Sequence, residues 1–303
     1  MRLFLTLLLS LSLVSTALHA QKKDSSKVNT KSLIGVSVSG GVLYGGFMTA
    51  LSTVWYKDLN QVGFHFKNDN LHWLQIDKFG HAYSSYVFSK VGMDLLKRTG
   101  LDDKKAAIWG GAYGFLFLTS VEIIDAHYSS WGFSTGDVVS NAFGSLLLTG
   151  QELLFKEQYV SFKYSYHTTE FVSLRPKVFG ENYFNQLVAD YNGQTYWMSL
   201  NLGSLFPKSK YIPSWLCVSG GYGAYGLLSS ETNPTREGFG TDPFPEFDRT
   251  RHYYLSLDID FDKIKTKSKV LKTIFSFLNL VKVPFPTLDI DGNGKASFHP
   301  LYF

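Results

Sequence analysis

Long apolar stretches separated by short polar connectors make up the first half of this chain. Residues 33–55 carry no charge and are long enough, as a helix, to cross a bilayer. A buried helix packed in a hairpin is the alternative. Three further helices are predicted at about 77–98, 103–128 and 135–155, the last two after capping sequences. The middle one is uncharged over 106–121, so it is either transmembrane or fully buried.

The pattern changes to alternating strands in the second half. Residues 159–166 alternate, and Asn192-Gly193 is a hairpin signal before an aromatic strand. The other predicted elements are strands at 215–225 and 253–261, a loop at 229–249, a basic amphipathic helix at 263–281 and a tight hairpin turn at 289–294. The predicted class is therefore α+β: an N-terminal four-helix, membrane-compatible bundle, then an antiparallel β-rich module with one amphipathic helix.

The N-terminus has the features of a secretory signal. Arg2 is followed by an apolar stretch and then by the small-residue cleavage pattern that ends at Ala20. The predicted organisation is a signal peptide at 1–20, a polar arm at 21–32, a helical domain at 33–156 and a β-rich module at 157–303. Export to the cell envelope follows from this organisation.

The single cysteine, Cys217, excludes an intrachain disulfide and a thiolate metal cluster. The bacterial lipoprotein route needs a cysteine near the cleavage site, and none lies near the site predicted here, so this route is not expected. An apolar helix at 33–55 favours the inner membrane. The aromatic ending at Tyr302-Phe303 is typical of outer-membrane proteins. Which of the two membranes is involved stays open at this point.

Composition narrows the class of partner. The net charge of +4 over 303 residues is too small to indicate nucleic acid. An aromatic content of 16% suits a protein that contacts membranes or other surfaces. Lysines crowd the start of 263–281, which suits either anionic lipid head groups or a solvated face. Membrane lipid is thus the expected partner, and the sequence identifies no protein partner for the C-terminal module.

Polar residues occur in pairs at one-turn spacing within the apolar helices. On a helix, residues three or four apart lie on the same face. The pairs are Asp77 with His81, Glu122 with Asp125, and Asp137 with Asn141. Burying a carboxylate costs several kcal/mol unless a partner, a metal or a proton compensates. Three such pairs on successive helices predict one shared polar pocket that serves as the functional site.

The first pair suits acid–base chemistry. Asp77 can orient the imidazole of His81, which is a natural general base at neutral pH. Lys78 can neutralise an anionic group of a substrate. The alternative is structural, with Asp77 at a helix start and His81 as a satisfied core histidine.

The other two pairs differ in what they suggest. Glu122 and Asp125 end a helix against its dipole, which suits a divalent cation held by oxygen ligands or a shared proton. The alternative is that the helix has reached solvent there. Asp137 follows Ser134 at a capping spacing, whereas Asn141 lies one turn deeper and needs hydrogen-bond partners.

These motifs resemble a known family. Asp77-Lys-x-x-His81, Glu122-x-x-Asp125 and Ser134-x-x-Asp137-x-x-x-Asn141 are similar to the YfiM-like family of uncharacterised envelope proteins, in its long Bacteroidetes-type form. That family looks related to the VanZ-like proteins, whose D-K-x-x-H and D-x-x-x-N-x-x-G signatures are matched here through Gly144. The resemblance covers roughly residues 73–155.

The resemblance implies a fold and a chemistry. VanZ-like proteins are grouped with lipid head-group enzymes in a proposed Lipocone superfamily, which implies a helical cone with a polar pocket that opens to the membrane. The implied reaction is exchange or hydrolysis at a phospholipid or polyprenol-phosphate linkage. The residues carried over as pocket residues are His81, Glu122, Asp125, Asp137 and Asn141. VanZ-like members often have Glu-x-x-Gln where this chain has Glu122-x-x-Asp125, which is a departure from the pattern.

Two other classes of function remain as alternatives. A non-enzymatic, outer-membrane-associated structural or assembly protein would use the polar pairs to fix helix packing. A binding protein for an anionic ligand would use them for recognition alone. The sequence therefore leaves open whether the protein is an enzyme, a lipid head-group transferase or hydrolase being the enzymatic option.

Overall fold

A computed structural model describes residues 28–57, 59–234 and 245–302. The predicted signal peptide, most of the polar arm, the middle of the predicted loop at 229–249 and Phe303 lie outside the described residues. The described residues form two compact units. The first contains the described part of Met1–Asn70 with Ser84–Gln158, and the second contains Leu71–Tyr83 with the described part of Tyr159–Phe303.

The predicted α+β class is confirmed, with a helical region followed by an antiparallel sheet. The long helices are α1 (Thr30–Ala50, continued by a π-helical turn at Leu51–Trp55), α2 (Ile76–Arg98), α3 (Asp103–Asp125) and α4 (Thr135–Phe155). Side chains of Asn29, Asp102 and Ser134 cap the starts of α1, α3 and α4. Each accepts a hydrogen bond from the backbone N–H three residues later, as N-cap residues do.

The long helices of the first unit run alternately up and down. The N–H of Asn29, just before α1, donates to the carbonyl of Thr99, just after α2, at 2.9 Å. At the other end a β-bridge joins Gln61, beyond α1, to Tyr128, beyond α3. Short connections between neighbouring antiparallel helices are typical of up-and-down bundles.

Small residues on α3 allow its neighbours to approach closely. A Cβ placed on Gly110 would lie 2.5 Å from the backbone N of Met93 on α2. One placed on Gly111 would lie 2.1 Å from the hydroxyl of Thr149 on α4. The hydroxyl of Ser145 donates to the carbonyl of Gly111 at 2.7 Å. Close backbone approach and hydroxyl-to-carbonyl bonds between helices are features of membrane-helix packing.

The second unit is built on an antiparallel meander, with strand order β1-β2-β3-β4-β5-β6 in the described residues. Its strands are β1 (Val160–Tyr166), β2 (Gln194–Asn201), β3 (Leu216–Tyr225), β4 (Thr250–Ile259), β5 (Phe285–Asp291) and β6 (Ala296–Tyr302). Short helices α5 (Phe171–Leu174), α6 (Pro176–Phe179), α7 (Tyr183–Ala189) and α8 (Leu202–Leu205) lie between strands, and the amphipathic helix α9 covers Lys269–Leu278. It is shorter than the predicted 263–281.

The sheet is strongly curled. The hydroxyl of Tyr302 on β6 lies 3.3 Å from that of Thr195 on β2. Four strand spacings separate β2 from β6, which is about 19 Å in a flat sheet. The contact therefore requires the sheet to close on itself, with the face that carries Thr195 and Tyr302 on the inside.

Candidate functional site

A left-handed turn precedes the first predicted site residue. Trp73, Leu74 and Gln75 have φ values of 50°, 49° and 69° immediately before α2. Non-glycine residues avoid this region because their Cβ atoms clash with the backbone, and each costs of order 1–3 kcal/mol. Such strain persists only where the surroundings fix it.

Other parts of the second unit hold each residue of that turn. The contacts are the Trp73 N–H to the Ser230 carbonyl at 2.7 Å, the Tyr222 hydroxyl to the Leu74 carbonyl, and the Arg251 guanidinium to the Gln75 side-chain oxygen at 2.8 Å. The Trp73 ring also packs on Tyr191, with centroids 4.8 Å apart. These contacts fix the direction in which α2 begins and so position Asp77.

Asp77, Lys78 and His81 form a polar group on the first turns of α2. The Lys78 ammonium lies 3.2 Å from one oxygen of Asp77, and His81 Nε2 lies 4.0 Å from the other. The Tyr191 hydroxyl donates to that second oxygen at 3.1 Å. The side chains of Asp77 and His81 are 21% and 20% exposed, so the group is reachable rather than sealed in a core. Asp77 is thus oriented by a tyrosine that the sequence did not single out.

Tyr196 lies beside the same turn of α2. A Cβ on Gly80 would stand 3.0 Å from the Tyr196 hydroxyl, so Gly80 makes room for this ring. Burial, followed by the charge of Asp77, raises the pKa of Tyr196 well above its ordinary value. Tyr196 therefore stays protonated as a hydrogen-bond donor near Asp77. Its only sequence signal was its position in the aromatic strand after the Asn-Gly turn.

In the first unit, Ser134 connects several carboxylates. Its hydroxyl accepts from the N–H of Asp137 at 3.1 Å and donates to Asp69 at 2.6 Å. Its own N–H donates to Glu122 at 3.4 Å. Glu122 is buried, so the alternative that α3 has reached solvent at this residue is wrong. The capping role predicted for this turn is present, and Glu122 supports it from α3.

Asp125 accepts a hydrogen bond from Tyr56, which follows the end of α1. Tyr56 is buried and stacks on Tyr128, with ring centroids 4.4 Å apart. Burial, then the charges of Asp125 and Glu122, raise the pKa of Tyr56 well above its ordinary value. The phenol thus remains a donor to Asp125, and this pair joins the ends of α1 and α3.

Asn141 lies in the core of the first unit. Its side chain is fully buried, and its backbone carbonyl accepts a hydrogen bond from Ser85 on α2 at 2.7 Å. The need of a buried amide for partners was predicted from the sequence. The Ser85 contact links α2 to α4 at this residue.

The seven predicted site residues fall into two groups. Asp77, Lys78 and His81 belong to the second unit, and the other four belong to the first: Glu122, Asp125, Asp137 and Asn141. The first group is one set of polar contacts, whereas in the second group Ser134 joins Glu122 and Asp137, and Asp125 and Asn141 each have a separate contact. The single pocket shared by all three pairs stays a prediction.

The divalent cation at Glu122 and Asp125 also stays a prediction. Both side chains offer the hard oxygen ligands that Ca²⁺ and Mg²⁺ take. Their contacts given above are with Ser134 and Tyr56, so the protein itself already supplies donors to both carboxylates. A cation would have to displace or share these donors.

Comparison with known proteins gives one family match. Residues 64–150 match the model of a family described as "Predicted periplasmic lipoprotein (DUF2279)". That segment contains all seven predicted site residues. No curated protein and no solved structure matches the chain. The match is consistent with an uncharacterised envelope family and confirms the predicted location in the cell envelope.

Proposed function

We propose that this envelope protein acts on the head groups of membrane lipids or on polyprenol-phosphate linkages, by phosphodiester exchange or hydrolysis. The observation that carries the proposal is the partly exposed group of Asp77, Lys78 and His81. An oriented imidazole next to an ammonium group can accept a proton while the ammonium offsets phosphate charge. The resemblance to VanZ-like proteins supports the same chemistry.

Each residue of the group has a distinct role in the proposed reaction. His81 is the general base or nucleophile, and Asp77, itself held by Tyr191, orients it. Catalytic hydrogen bonds are often long without substrate and shorten in the complex, which fits the 4.0 Å separation of His81 from Asp77. Lys78 binds the phosphate. Asp137 and Asn141 position the incoming group, and Glu122 with Asp125 offset charge, with a divalent cation as the proposed cofactor.

The membrane side of the proposal rests on the outer surfaces of the helices. The apolar stretch Thr30–Thr53 is 24 residues long, and Val36 is the buried residue of its helix Thr30–Ala50, so most of it faces outward. Ile34, Val38 and Val42 follow one another at one-turn spacing and are all exposed. Asp103–Asp125 also has the length and composition of a membrane span. A lipid substrate would meet the protein at such surfaces.

The test is head-group release by the full chain in vesicles. Wild type in vesicles of phosphatidylethanolamine and phosphatidylglycerol, with and without undecaprenyl phosphate, should release water-soluble head groups or phosphate detectable by mass spectrometry. His81→Ala should lower the rate at least a hundredfold, since general-base catalysis contributes about 10²–10⁴-fold. His127→Ala, an exposed histidine of the first unit, is the matched control and should keep wild-type activity.

Two results would contradict the proposal. One is turnover by a folded His81→Ala protein at the wild-type rate. The other is the absence of turnover by wild type with every one of these lipids.

A second candidate function is supported by the contacts of Glu122 and Asp125. Their described bonds run to Ser134 and Tyr56, and these bonds connect α3 to α4 and to the end of α1. A non-enzymatic structural or assembly protein would need such bonds only to fix its helices. In that case Glu122→Gln with Asp125→Asn lowers stability by about 1–3 kcal/mol for each weakened bond. His81→Ala would then affect stability alone, with no separate loss of activity.

A further inference from the structure

Strands β4 and β5 of the curled sheet in the second unit have their polar residues inside and their apolar residues outside. On β4, Ser256 and Asp258 are buried, whereas Leu255 and Leu257 are exposed. β5 repeats the arrangement, and its buried residues are Thr287 and Asp289 while the exposed ones are Leu288 and Ile290. In water the order is the reverse, with apolar residues in and polar residues out.

The polar interior contains a sealed ion pair. Lys163 on β1 and Asp258 on β4 are both fully buried, with 2.9 Å between the ammonium and the carboxylate. Ser199 on β2 donates to the same carboxylate at 2.6 Å. Such a group is expensive to bury and needs donors and acceptors from the surrounding strands. The inside of the sheet therefore supplies polar partners, and the apolar side chains are left on the outside.

The exposed apolar residues form one continuous surface. Leu255, Leu288 and Phe298 are direct neighbours across β4, β5 and β6, and Tyr253 lies next to Ile290. Phe298 is 64% exposed and Leu255 is 54% exposed. We call this set, with Leu257, the outer sheet face. It contains no charged residue, and contiguous apolar surfaces of this kind mark interaction sites.

Helix α9 has a similar exposed apolar side and a basic border. Val270, Ile274 and Leu278 recur at one-turn spacing on it and are exposed. Four exposed lysines lie at and before its first turns: Lys265, Lys267, Lys269 and Lys272. An amphipathic helix with an apolar side and basic residues is the type that lies in the plane of a membrane surface, where lysines attract anionic head groups.

We propose that the outer sheet face and α9 are each a further membrane-contacting surface, whose occupant is an anionic phospholipid bilayer. Acyl chains cover the outer sheet face, and anionic head groups bind the lysines of α9. The reversed polarity of the sheet favours lipid because polar-in and apolar-out is the order of strands that face hydrocarbon. The lysines favour an anionic surface over an uncharged one. The proposal concerns the second unit alone and does not depend on the reaction proposed above.

Site-specific quenching in vesicles tests the outer sheet face. Single cysteines replace Leu255, Leu288 or Asn293 in the full-length Cys217→Ser protein and carry an environment-sensitive fluorophore. Asn293 is the control, because it lies in the exposed β5–β6 turn. In phosphatidylethanolamine–phosphatidylglycerol vesicles, acyl-chain spin labels should at least halve emission from positions 255 and 288 and leave position 293 unaffected. Iodide in the buffer should quench emission from position 293 and leave emission from positions 255 and 288 unaffected.

The results that overturn the proposal are specific. Quenching of positions 255 and 288 by iodide, as strongly as position 293, would show that the face is in water. Protection from both quenchers, with cross-linking of two labelled chains through position 255, would make the occupant a second copy of this chain.

The role of the lysines is tested with a charge-matched pair of variants. A fluorophore at position 274 should be quenched by acyl-chain spin labels in phosphatidylglycerol-containing vesicles at least twofold more than in phosphatidylcholine alone. Lys269→Gln with Lys272→Gln should remove that difference. Lys208→Gln with Lys210→Gln changes the net charge equally at a different site. This control variant should keep the quenching difference between the two kinds of vesicle. Equal loss in both double variants would contradict binding of head groups at α9.

Discussion

At the scale of one residue, Lys282 shows how burial inside the curled sheet changes the pKa of a charged side chain. Its ammonium is buried and donates to the carbonyls of Leu257 and Val283 at 2.9 and 2.8 Å. It also lies 5.0 Å from the ring centroid of Trp197. Burial lowers the pKa of Lys282 from 10.5 to about 8, and the charge of Asp258 opposes this only in part.

That lowered pKa predicts the pH dependence of stability. Between pH 8 and 10.5 the unfolded chain binds a proton at Lys282 that the folded chain has released, so the contribution of Lys282 to the free energy of unfolding rises with pH across this window, whereas the raised pKa of Cys217 contributes with the opposite sign. The full gain is about 3 kcal/mol, from roughly 1.4 kcal/mol per pKa unit. Denaturant unfolding in detergent from pH 7 to 10.5 measures it. Lys282→Met should remove the rise, whereas the exposed Lys295→Met should keep it; equal slopes in both variants would contradict the prediction.

The sequence identified some contacts of the candidate site residues and missed others. The link between Asp77 and His81 was visible because both lie on one helix at i, i+4, where geometry is local. Tyr191 and Tyr56, which donate to Asp77 and Asp125, come from positions 114 and 69 residues away. No local pattern encodes such contacts. Only the aromatic richness of the chain pointed toward rings near the polar groups.

At the scale of an element, the turn before α2 predicts an unusual mutational response. Leu74→Gly and Leu74→Ala both remove the same side chain, so the difference between them reports the backbone alone. With φ near 49°, glycine should be more stable than alanine by about 1 kcal/mol, because only alanine has a Cβ that clashes. Thermal or denaturant unfolding of the two variants gives this difference.

The matched pair at Leu95, inside α2, should show the opposite sign. In a regular helix alanine is more stable than glycine by about 1 kcal/mol. If the glycine variant were less stable than the alanine variant at Leu74 as well as at Leu95, the left-handed turn would not exist in solution.

Elements were predictable where their signal was periodic and capped. Helices α3 and α4 matched because apolar runs and the cap residues Asp102 and Ser134 agree with one another. The hairpin turn at 289–294 was predicted without the strands β5 and β6 that flank it, and each of these contains a proline, which cannot donate to a ladder. Pro286 lies at a register shift between Phe285 and Thr287, and Pro300 is on the edge strand β6. Both prolines occupy positions that tolerate a missing N–H, which sequence spacing alone could not show.

At the scale of the whole molecule, the first unit contains α1 and α3, which have the length and composition of membrane spans. Its helices alternate in direction, pack through small residues and expose apolar side chains such as Trp109 on α3 and Leu146 on α4. The 23 residues of α3 rise about 35 Å, which exceeds the roughly 30 Å hydrocarbon thickness of a bilayer. The two ends of an up-and-down bundle that spans a bilayer must therefore lie on opposite sides of it.

Thiol labelling in spheroplasts tests that arrangement. Asp103→Cys reports one end of the bundle and Gly63→Cys the other, since both positions are exposed. Burial raises the pKa of the native Cys217 thiol to about 12, so it stays unreactive and can remain in place. A membrane-impermeant maleimide should label one variant in intact spheroplasts and the other only after permeabilisation, with at least a tenfold difference. Equal labelling of both in intact spheroplasts would mean that the bundle lies against the membrane without crossing it.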